Sequence, residues 1–170
     1  MSSRTDTLWN LNTGRLLRAH EAHTGWVFAT ALSADGMVLA SAGDDGAIRL
    51  WRSDTGEPVG VLPGHSRRIR SLAFSSADPL LVSGAEDGVV CPWDLERLVL
   101  LSTMRAVGTT VWSVAIDGDS DSLVAVAGED EFVRLFDLRT GRLLDERAAH
   151  RDGVRSVAFA SGFPPGFRIR

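Results

Sequence analysis

One phrase of the sequence occurs three times at a nearly constant spacing. The stretch SAGDDGAIRLW ends at Trp51, the stretch SGAEDGVVCPW ends at Trp93, and a divergent copy ends at Phe136. Trp9 stands one further interval before them, so aromatic residues recur every 42 or 43 positions. A fixed period of this length is typical of chains that stack similar structural units. The chain is therefore expected to fold as a row of repeats.

Other landmarks keep the same frame as these aromatic residues. A Thr-Gly pair lies four residues beyond three of them, a histidine recurs in three units, and a short segment of small and apolar residues recurs in four. The Thr-Gly pairs are at 13–14, 55–56 and 140–141, the histidines are His23, His65 and His150, and the segments are ATAL, SLAF, SVAI and SVAF. Because independent landmarks share one period, chance does not explain the repeat.

Within one unit, the sequence predicts four short strands. Four apolar stretches are separated by turn-forming residues, and they cover 26–32, 37–42, 47–51 and 58–62. Asp45-Gly46 between two of these stretches is a strong hairpin signal, because glycine adopts the positive φ that such a turn requires. No stretch has a helical period, and four antiparallel strands per unit are typical of a β-propeller blade. The predicted fold class is all-β, with blades of four antiparallel strands.

The composition narrows the classes of function. The chain has 170 residues and a formal net charge of -4. An acidic chain without a basic tract is poorly suited to the phosphate backbone, so no nucleic-acid partner is expected. The longest aliphatic run, 98–101, is too short to cross a membrane, and the N-terminus lacks the pattern of a signal peptide. Cys91 is the only cysteine, which suits a reducing compartment, so a cytoplasmic location without a membrane partner is expected.

Two stretches of one unit resemble a known repeat family. Residues 63–74 read PGHSRRIRSLAF and residues 80–94 read LLVSGAEDGVVCPWD, which is similar to the WD40 repeat with its Gly-His start and Trp-Asp finish. The resemblance covers nearly the whole chain and implies an incomplete or open β-propeller of about four repeat units, with three complete blades and terminal part-blades. The segments of this single domain, 1–170, are a part blade 5–22, repeats at 23–64, 65–106 and 107–149, and a partial repeat 150–170.

The resemblance also implies a hydrogen-bonded network inside each blade. In the WD40 family a loop His, a second-strand Ser, a turn Asp and a third-strand Trp form this network. The matching residues are His23, Ser41, Asp45 and Trp51 in one unit, and His65, Ser83, Asp87 and Trp93 in the next. The positions in the third unit hold Val107, Val126, Asp130 and Phe136. The His, the Ser and the Trp are thus replaced together, which costs less than stranding one buried polar group.

Three other patterns suggest chemistry, and each has a simpler interpretation. A Ser, a His and an Asp occur in hydrolase triads, but a set that recurs with a Trp at a fixed period is better explained as structural. Residues 117–122, DGDSDS, begin like a calcium loop, yet Ser122 and Gly128 stand where an EF-hand needs Gly and Glu. His20 and His23 lack the helix and the further ligands of a zinc site. The chain is expected to be no enzyme and to hold no metal and no cofactor.

A propeller without catalytic residues would act through its rims. In the family, partner contacts concentrate on the top face, at the start of the first strand and just before the turn Asp. The matching residues here, with two that precede them, are Trp26, Phe28, Arg68, Arg70, Trp112 and Arg155 in the first strands, and Asp44, Glu86 and Glu129 before the turns. Aromatic and arginine side chains are the types that dominate binding energy in interfaces. Trp26 and Phe28 could instead fill the gap between blades, whereas Arg68 and Arg70 are expected to be exposed.

The expected function is that of a non-catalytic protein–protein interaction scaffold with a protein or peptide partner. The alternative is a fragment or sensor module of a larger WD40 protein, linked to a kinase or NTPase domain, with no binding activity of its own. An unclosed arc of blades would also expose apolar flanks and unpaired strand edges, which favour self-association. The alternative is a monomeric ring of four blades, which the part blades at the two ends would close.

Two places fit the repeat poorly. Pro92 lies in a third strand, where proline removes a ladder hydrogen bond, so a bulge or local fraying is expected there. Near the C-terminus, residues 154–160 are expected to form the first strand of a further unit. The second strand of that unit, over 166–170, is disturbed by the preceding pair of prolines.

Overall fold

The computed structural model describes residues 5–10, 15–21, 23–106, 108, 110–118 and 122–159. All regular secondary structure in these residues is β-strand. The strands are β1 (Thr5–Asn10), β2 (Arg15–Glu21), β3 (Val27–Leu32), β4 (Val38–Gly43), β5 (Ala47–Arg52), β6 (Pro58–Pro63), β7 (Ile69–Phe74), β8 (Leu80–Ala85), β9 (Val89–Asp94), β10 (Val99–Leu100), β11 (Met104–Arg105), β12 (Val111–Ile116), β13 (Leu123–Gly128), β14 (Phe132–Asp137) and β15 (Leu143–Ala148). Within this part of the chain, no helix has the length and apolar character needed to cross a membrane.

The strands form three blades and one strand pair. The N-terminal strand pair is β1 with β2, the first blade is β3 to β6, the second blade is β7 to β10 with β11, and the third blade is β12 to β15. Paired strands are antiparallel, and the order of strands in each blade follows the chain. The prediction of an all-β fold with four-stranded antiparallel blades is confirmed, and the propeller that the blades form is open.

Glycine makes the hairpins between the second and third strands possible. Gly46 has a φ of 68° and Gly88 has a φ of 75°, which lie in the left-handed region that glycine enters without strain. A Cβ atom on Gly46 would also lie 2.7 Å from the carbonyl oxygen of His65, which precedes the second blade. The Asp-Gly hairpins predicted from the sequence are therefore confirmed in the first two blades.

The second blade packs one face against the first blade and the other face against the third blade. Trp93 of the second blade packs in one apolar cluster with Leu50 of the first blade, and each is 1% exposed. On the other side, Phe136 of the third blade packs in a second cluster with Val82 of the second blade. Because both faces of a blade are covered, its inner strands are apolar in continuous runs instead of alternating with polar residues.

Pro92 lies in β9 without a bulge, and the adjacent outer strand is interrupted instead. The pairing of β9 with β8 is in regular register throughout. The carbonyl oxygen of Pro92 accepts a hydrogen bond from the N–H of Leu101, so the proline nitrogen also faces the outer strand. That strand is divided into β10 and β11, which pair with the two ends of β9. The missing donor therefore faces the interruption between β10 and β11, and the pairing of β9 with β8 is undisturbed.

Residues 153–159 form no strand, so the first strand expected over 154–160 is not present in the described part. The segment nevertheless lies along the third blade, because the N–H of Val157 donates to the hydroxyl of Ser113 at 3.2 Å. A strand requires a ladder of backbone hydrogen bonds to a partner strand. Residues 160–170, which include the expected partner strand, lie outside the described residues.

The turn between β9 and β10 holds a leucine in a strained backbone conformation. Leu98 has a φ of 55°, whereas the matching positions of the other blades hold Gly56 and Gly141 with φ of 75° and 68°. The side chain of Leu98 lies against Gly60 of the first blade, since a Cβ atom there would be 2.6 Å from Leu98 Cδ1. A left-handed conformation costs a residue with a side chain roughly 1–2 kcal/mol. This contact between blades therefore has a conformational cost.

Replacing Leu98 by glycine and by alanine separates the contact from the strain. Both variants lose the packing against Gly60, but only Leu98→Gly relieves the left-handed backbone. We expect Leu98→Gly to exceed Leu98→Ala by about 1 kcal/mol in free energy of unfolding, measured by urea denaturation. Equal unfolding free energies would show that the backbone at this position is unstrained.

Candidate functional site

The second blade contains a chain of four hydrogen-bonded side chains. The Nε1–H of Trp93 donates to Oγ of Ser83 at 2.8 Å, and that oxygen lies 2.8 Å from Nε2 of His65. Nδ1 of His65 lies 3.1 and 3.2 Å from the two carboxylate oxygens of Asp87. Ser83 and the side chain of His65 have no solvent exposure. The chain of bonds therefore connects a buried indole to the turn at the rim.

Asp87 fixes the tautomer of His65. A carboxylate only accepts hydrogen bonds, so Nδ1 carries the hydrogen and Nε2 accepts from the hydroxyl of Ser83. Burial lowers the pKa of His65, although the charge of Asp87 and its hydrogen bond act in the opposite direction. Burial would raise the pKa of Asp87, but the His65 ring and the backbone N–H of Ser66 outweigh it and lower that pKa. The stable state is a neutral ring bonded to a charged carboxylate.

The first blade has the same four side chains and an additional cation. The hydroxyl oxygen of Ser41 lies 2.8 Å from Nε2 of His23 and accepts the Nε1–H of Trp51 at 3.1 Å. Nδ1 of His23 lies 3.0 Å from Oδ1 of Asp45. Arg49 also donates to Asp45, with Nη1 2.8 Å from Oδ2. The carboxylate in this blade therefore holds both an imidazole and a guanidinium group.

The third blade has apolar packing and an ion pair in place of the network. Val126 and Phe136 are 0% and 3% exposed and lie in one apolar cluster. Asp130 pairs with Arg134, with 2.7 Å between Oδ2 and Nη2. The fourth matching position, Val107, lies outside the described residues. At the three described positions, Val126 packs with Phe136, and Asp130 forms an ion pair with an arginine.

The pairing of the turn Asp with the arginine four residues later was not predicted from the sequence, although the arginine recurs at one position of the repeat. Arg49 and Arg134 stand two residues before the aromatic residue of their units, and Cys91 takes that place in the second blade. Burial raises the pKa of the Cys91 thiol to about 12. Cys91 is therefore a protonated, buried group that packs like a small apolar side chain. Two arginines at one position of a three-unit alignment are the signal that points to the pairing.

The predicted partner-binding residues of the first strands share one structural position. In β3, β7 and β12 the pairing with the next strand slips by one residue near the strand start. The extra residues at these three bulges are Phe28, Arg70 and Trp112. A bulge re-aims the side chain of its extra residue out of the regular alternation. The side chains of these three residues, one in each blade, therefore depart in the same way from the regular alternation of their strands.

These side chains extend into a ladder that crosses the blades. The guanidinium carbon of Arg70 lies 4.3 Å from the ring centroid of Phe28 and 5.0 Å from that of Trp112. The guanidinium carbon of Arg155 lies 4.5 Å from the centroid of Trp112, and Trp26 stacks on Phe28 with centroids 6.3 Å apart. Arginine and aromatic faces attract each other at these distances. We call these five residues the aromatic–arginine ladder.

Two acidic residues connect the ladder to the turns at the rim. Glu86 forms an ion pair with Arg70, and Asp44 forms one with Arg68. Asp44 also accepts the backbone N–H of Trp26 at 2.9 Å. The side chain of Arg68 is 50% exposed, but that of Arg70 is only 21% exposed. The expected exposure of Arg70 is therefore wrong, because an ion pair and two aromatic rings cover it.

The remaining predicted residues differ in how far they reach solvent. Trp26 is 55% exposed, so it does not fill a gap between blades. Phe28 and Trp112 are half-buried and contact arginines of a neighbouring blade or segment. Glu129 and Arg155 are exposed. The ladder therefore has a covered centre and open ends.

The metal-like patterns of the sequence gain no support from the described residues. No group of three or more His, Cys, Asp or Glu is arranged to hold a metal ion in the part of the chain that the structure describes. The side chain of His20 and residues 119–121 of the calcium-like loop lie outside that part.

A comparison with protein families gives one match that repeats along the chain. A family model described as "WD40: WD domain, G-beta repeat" matches residues 14–52, 56–94 and 99–137, which is more than half of the chain. The first two matched segments each enclose one complete His-Ser-Asp-Trp network. No curated protein matches the chain.

The buried, neutral state of His65 predicts a pH-dependent stability. Its folded pKa lies below the ordinary value of 6.5, so the unfolded chain binds the proton more readily. The free energy of unfolding should therefore fall as the pH drops through 6.5 toward the lowered pKa, and it should be regained above 6.5. Urea denaturation at several pH values between about 7.5 and 5, a range that spans the ordinary pKa of histidine, measures this slope. His65→Gln should reduce the slope more than the control variant His150→Gln, which removes an exposed histidine; equal slopes in all three proteins would contradict the assignment.

The apolar replacement in the third blade predicts coupling between two positions. Phe136→Trp should destabilise the protein by roughly 1–3 kcal/mol, because the ring is larger and Val126 offers its N–H no acceptor. Val126→Ser alone should also destabilise, because it buries a hydroxyl. In the double variant the new Ser and Trp can bond, so its loss should be smaller than the sum of the single losses. Urea denaturation of the four proteins gives the coupling energy, and strict additivity would contradict the network interpretation.

Proposed function

Because the chain belongs to the WD domain, G-beta repeat family, we propose that it is a non-catalytic scaffold that binds a protein or peptide partner. Repeats of this family generally mediate protein interactions. Stacked blades hold surface residues on rigid strands, and binding sites on rigid elements lose little freedom when a partner docks.

The burial of both serine networks supports a scaffold over a hydrolase. Ser41 and Ser83 are 0% exposed, and each hydroxyl oxygen accepts an indole N–H. A nucleophile must reach the reacting carbon of its substrate, with a base beside it. These serines have the base beside them but no route to solvent. Their hydrogen bonds therefore serve the blade that contains them.

Exposed Trp26 at one end of the aromatic–arginine ladder is the observation that carries the proposal. Tryptophan and arginine are the residues most enriched among those that dominate interface energies. Phe28 stacks against Trp26, and Asp44 accepts a hydrogen bond from the backbone N–H of Trp26. The indole is therefore held in place before any partner arrives. A large aromatic side chain that is both open and held in place is suited to insert into, or be covered by, a partner.

The charges along the rim that carries the ladder favour a polypeptide over a nucleic acid. Arg68 and Arg155 offer guanidinium groups to carboxylate or carbonyl oxygens, and Glu129 offers a carboxylate to a donor. Both signs of charge are present on the same rim, as in the polar border of many protein interfaces. A phosphate backbone would meet Glu129 and Glu86 on this rim and a net charge of -4 on the chain.

A photo-crosslinking residue at position 26 tests the proposed surface in the cell. With p-benzoylphenylalanine in place of Trp26, irradiation should give a discrete adduct with another protein. The matched control places the same residue at Leu144, which is 42% exposed but lies on the outermost strand of the third blade. Adding Arg68→Ala to the chain with the probe at 26 should weaken the adduct several-fold, because one neighbouring cation is lost.

Two outcomes would contradict the proposal. One is the same set of adducts from positions 26 and 144, which would indicate random encounters. The other is an adduct from position 26 with a second copy of the chain only, recognisable by a mass increase of 18.3 kDa.

A further inference from the structure

Trp26 is bonded at two points to the turn that carries Asp44. The backbone N–H of Asp44 donates to the carbonyl oxygen of Trp26 at 2.9 Å, and the backbone N–H of Trp26 donates to Oδ2 of Asp44 at 2.9 Å. Glycine permits this close approach, because a Cβ atom at Gly25 would collide with the side chain of Asp44. A Cβ atom at Gly43 would likewise collide with the backbone of Trp26. The position of Trp26 at the rim is therefore fixed by the turn.

The carboxylate of Asp44 also holds Arg68, which leads into β7. Oδ1 of Asp44 lies 2.5 Å from Nε of Arg68. The guanidinium carbon of Arg68 lies 5.9 Å from the ring centroid of Phe28, the ring on which Trp26 stacks. Asp44 and Phe28 each contact both residues, so they place an exposed indole and a guanidinium group side by side.

Arg68 retains most of its donors for a partner. A guanidinium group has five N–H donors, and Nε carries only one of them. Neither Nη atom of Arg68 has a hydrogen-bond partner among the residues that the structure describes, and the side chain is 50% exposed. The two Nη atoms form a fork that can bind both oxygens of one carboxylate.

Arg67 adds a second cation beside the same turn. Its side chain is exposed and has no hydrogen bond or ion pair within the described part of the chain. Its backbone lies against the turn of the first blade, because a Cβ atom on Gly46 would be 3.3 Å from the carbonyl oxygen of Arg67. Two consecutive cations therefore border the turn that holds Trp26.

The acidic residues of the first two turns already have partners within the chain. Asp44 and Glu86 form ion pairs with arginines. Asp45 and Asp87 bond the histidines of their networks. The charges left without a partner at this place, among the described residues, are therefore positive. Because charges beyond about 8 Å are largely screened at physiological ionic strength, these cations dominate the local attraction although the whole chain has a net charge of -4.

We propose that the partner presents an acidic peptide segment to this surface, an inference that rests on the proposed function. A carboxylate of the segment binds the two Nη atoms of Arg68 and is attracted by Arg67, while an apolar neighbour in the same segment covers the indole of Trp26. Asp44 is a positioning residue, because its two carboxylate oxygens hold Trp26 and Arg68 in the arrangement that reads both features.

Selection of short random peptides displayed on phage, with the full 170-residue chain as the immobilised target, tests this preference. Peptides recovered on the native chain should be enriched several-fold in Asp and Glu over the starting library. The double variant Arg67→Glu with Arg68→Gln should still recover peptides through Trp26 but lose the enrichment, because both cations are gone. The matched control is Arg139→Glu with Arg142→Gln, two exposed arginines of the turn before β15, which changes the net charge equally and should keep the enrichment.

A third variant, Trp26→Ala, separates this inference from the proposed function. The recovered peptides should lose their binding to it, while circular dichroism verifies that each variant keeps its fold. Three results would overturn the acidic partner and leave the proposed function standing: Trp26-dependent peptides without acidic enrichment, the same enrichment in the Arg67 and Arg68 variant, or an equal loss in the control. If no recovered peptide depends on Trp26, the proposed function fails, and this inference fails with it.

Discussion

A blade that stands between two neighbours has both faces buried, and the rest of this structure follows from that constraint. Apolar side chains fill both faces, as Trp93 and Phe136 show on two successive junctions. Any polar atom inside must find a partner within the protein, because an unpaired buried group costs roughly 1–3 kcal/mol. The fold therefore admits either a complete polar network at a given site or none.

The three blades show both solutions to this constraint. In the second blade every donor of the network has an acceptor, from the indole of Trp93 through Ser83 and His65 to Asp87. In the third blade the corresponding interior is apolar, and the remaining turn acid pairs with Arg134. The arginine matters because a carboxylate near the edge of a blade still needs a counter-charge or a donor. Stability of the blade, and not catalysis, accounts for the histidines and serines.

Departures from the repeat are tolerated at the outer strand of a blade and at the turn that leads to it. Pro92 removes a donor that faces the outer strand, and that strand breaks into two short pieces. Leu98 takes a left-handed turn where the other blades use glycine, and its contact with Gly60 compensates for the strain. The innermost strands keep their length and their bulge in all three blades, because they line the junctions that stack the blades. The outer strands can vary without disturbing the aromatic–arginine ladder, whose central residues lie on the innermost strands.

The sequence by itself determined the repeat, the four strands of each unit and the Asp-Gly hairpins, because strand alternation and turn chemistry depend on residues close in the chain. The members of both networks, which lie 10 to 22 residues apart, were implied by the resemblance to the WD40 repeat. Only the tertiary structure decided that Arg70 is covered between Phe28 and Trp112, and that Arg134 takes over the acid of the third blade. It also decided that Leu32 is half exposed. Arg70 meets Phe28 and Trp112 about one repeat away, and its direction is set by a bulge that no local pattern reveals. Arg134 lies only four residues from Asp130, but the folded strand is needed to show that the two side chains pair.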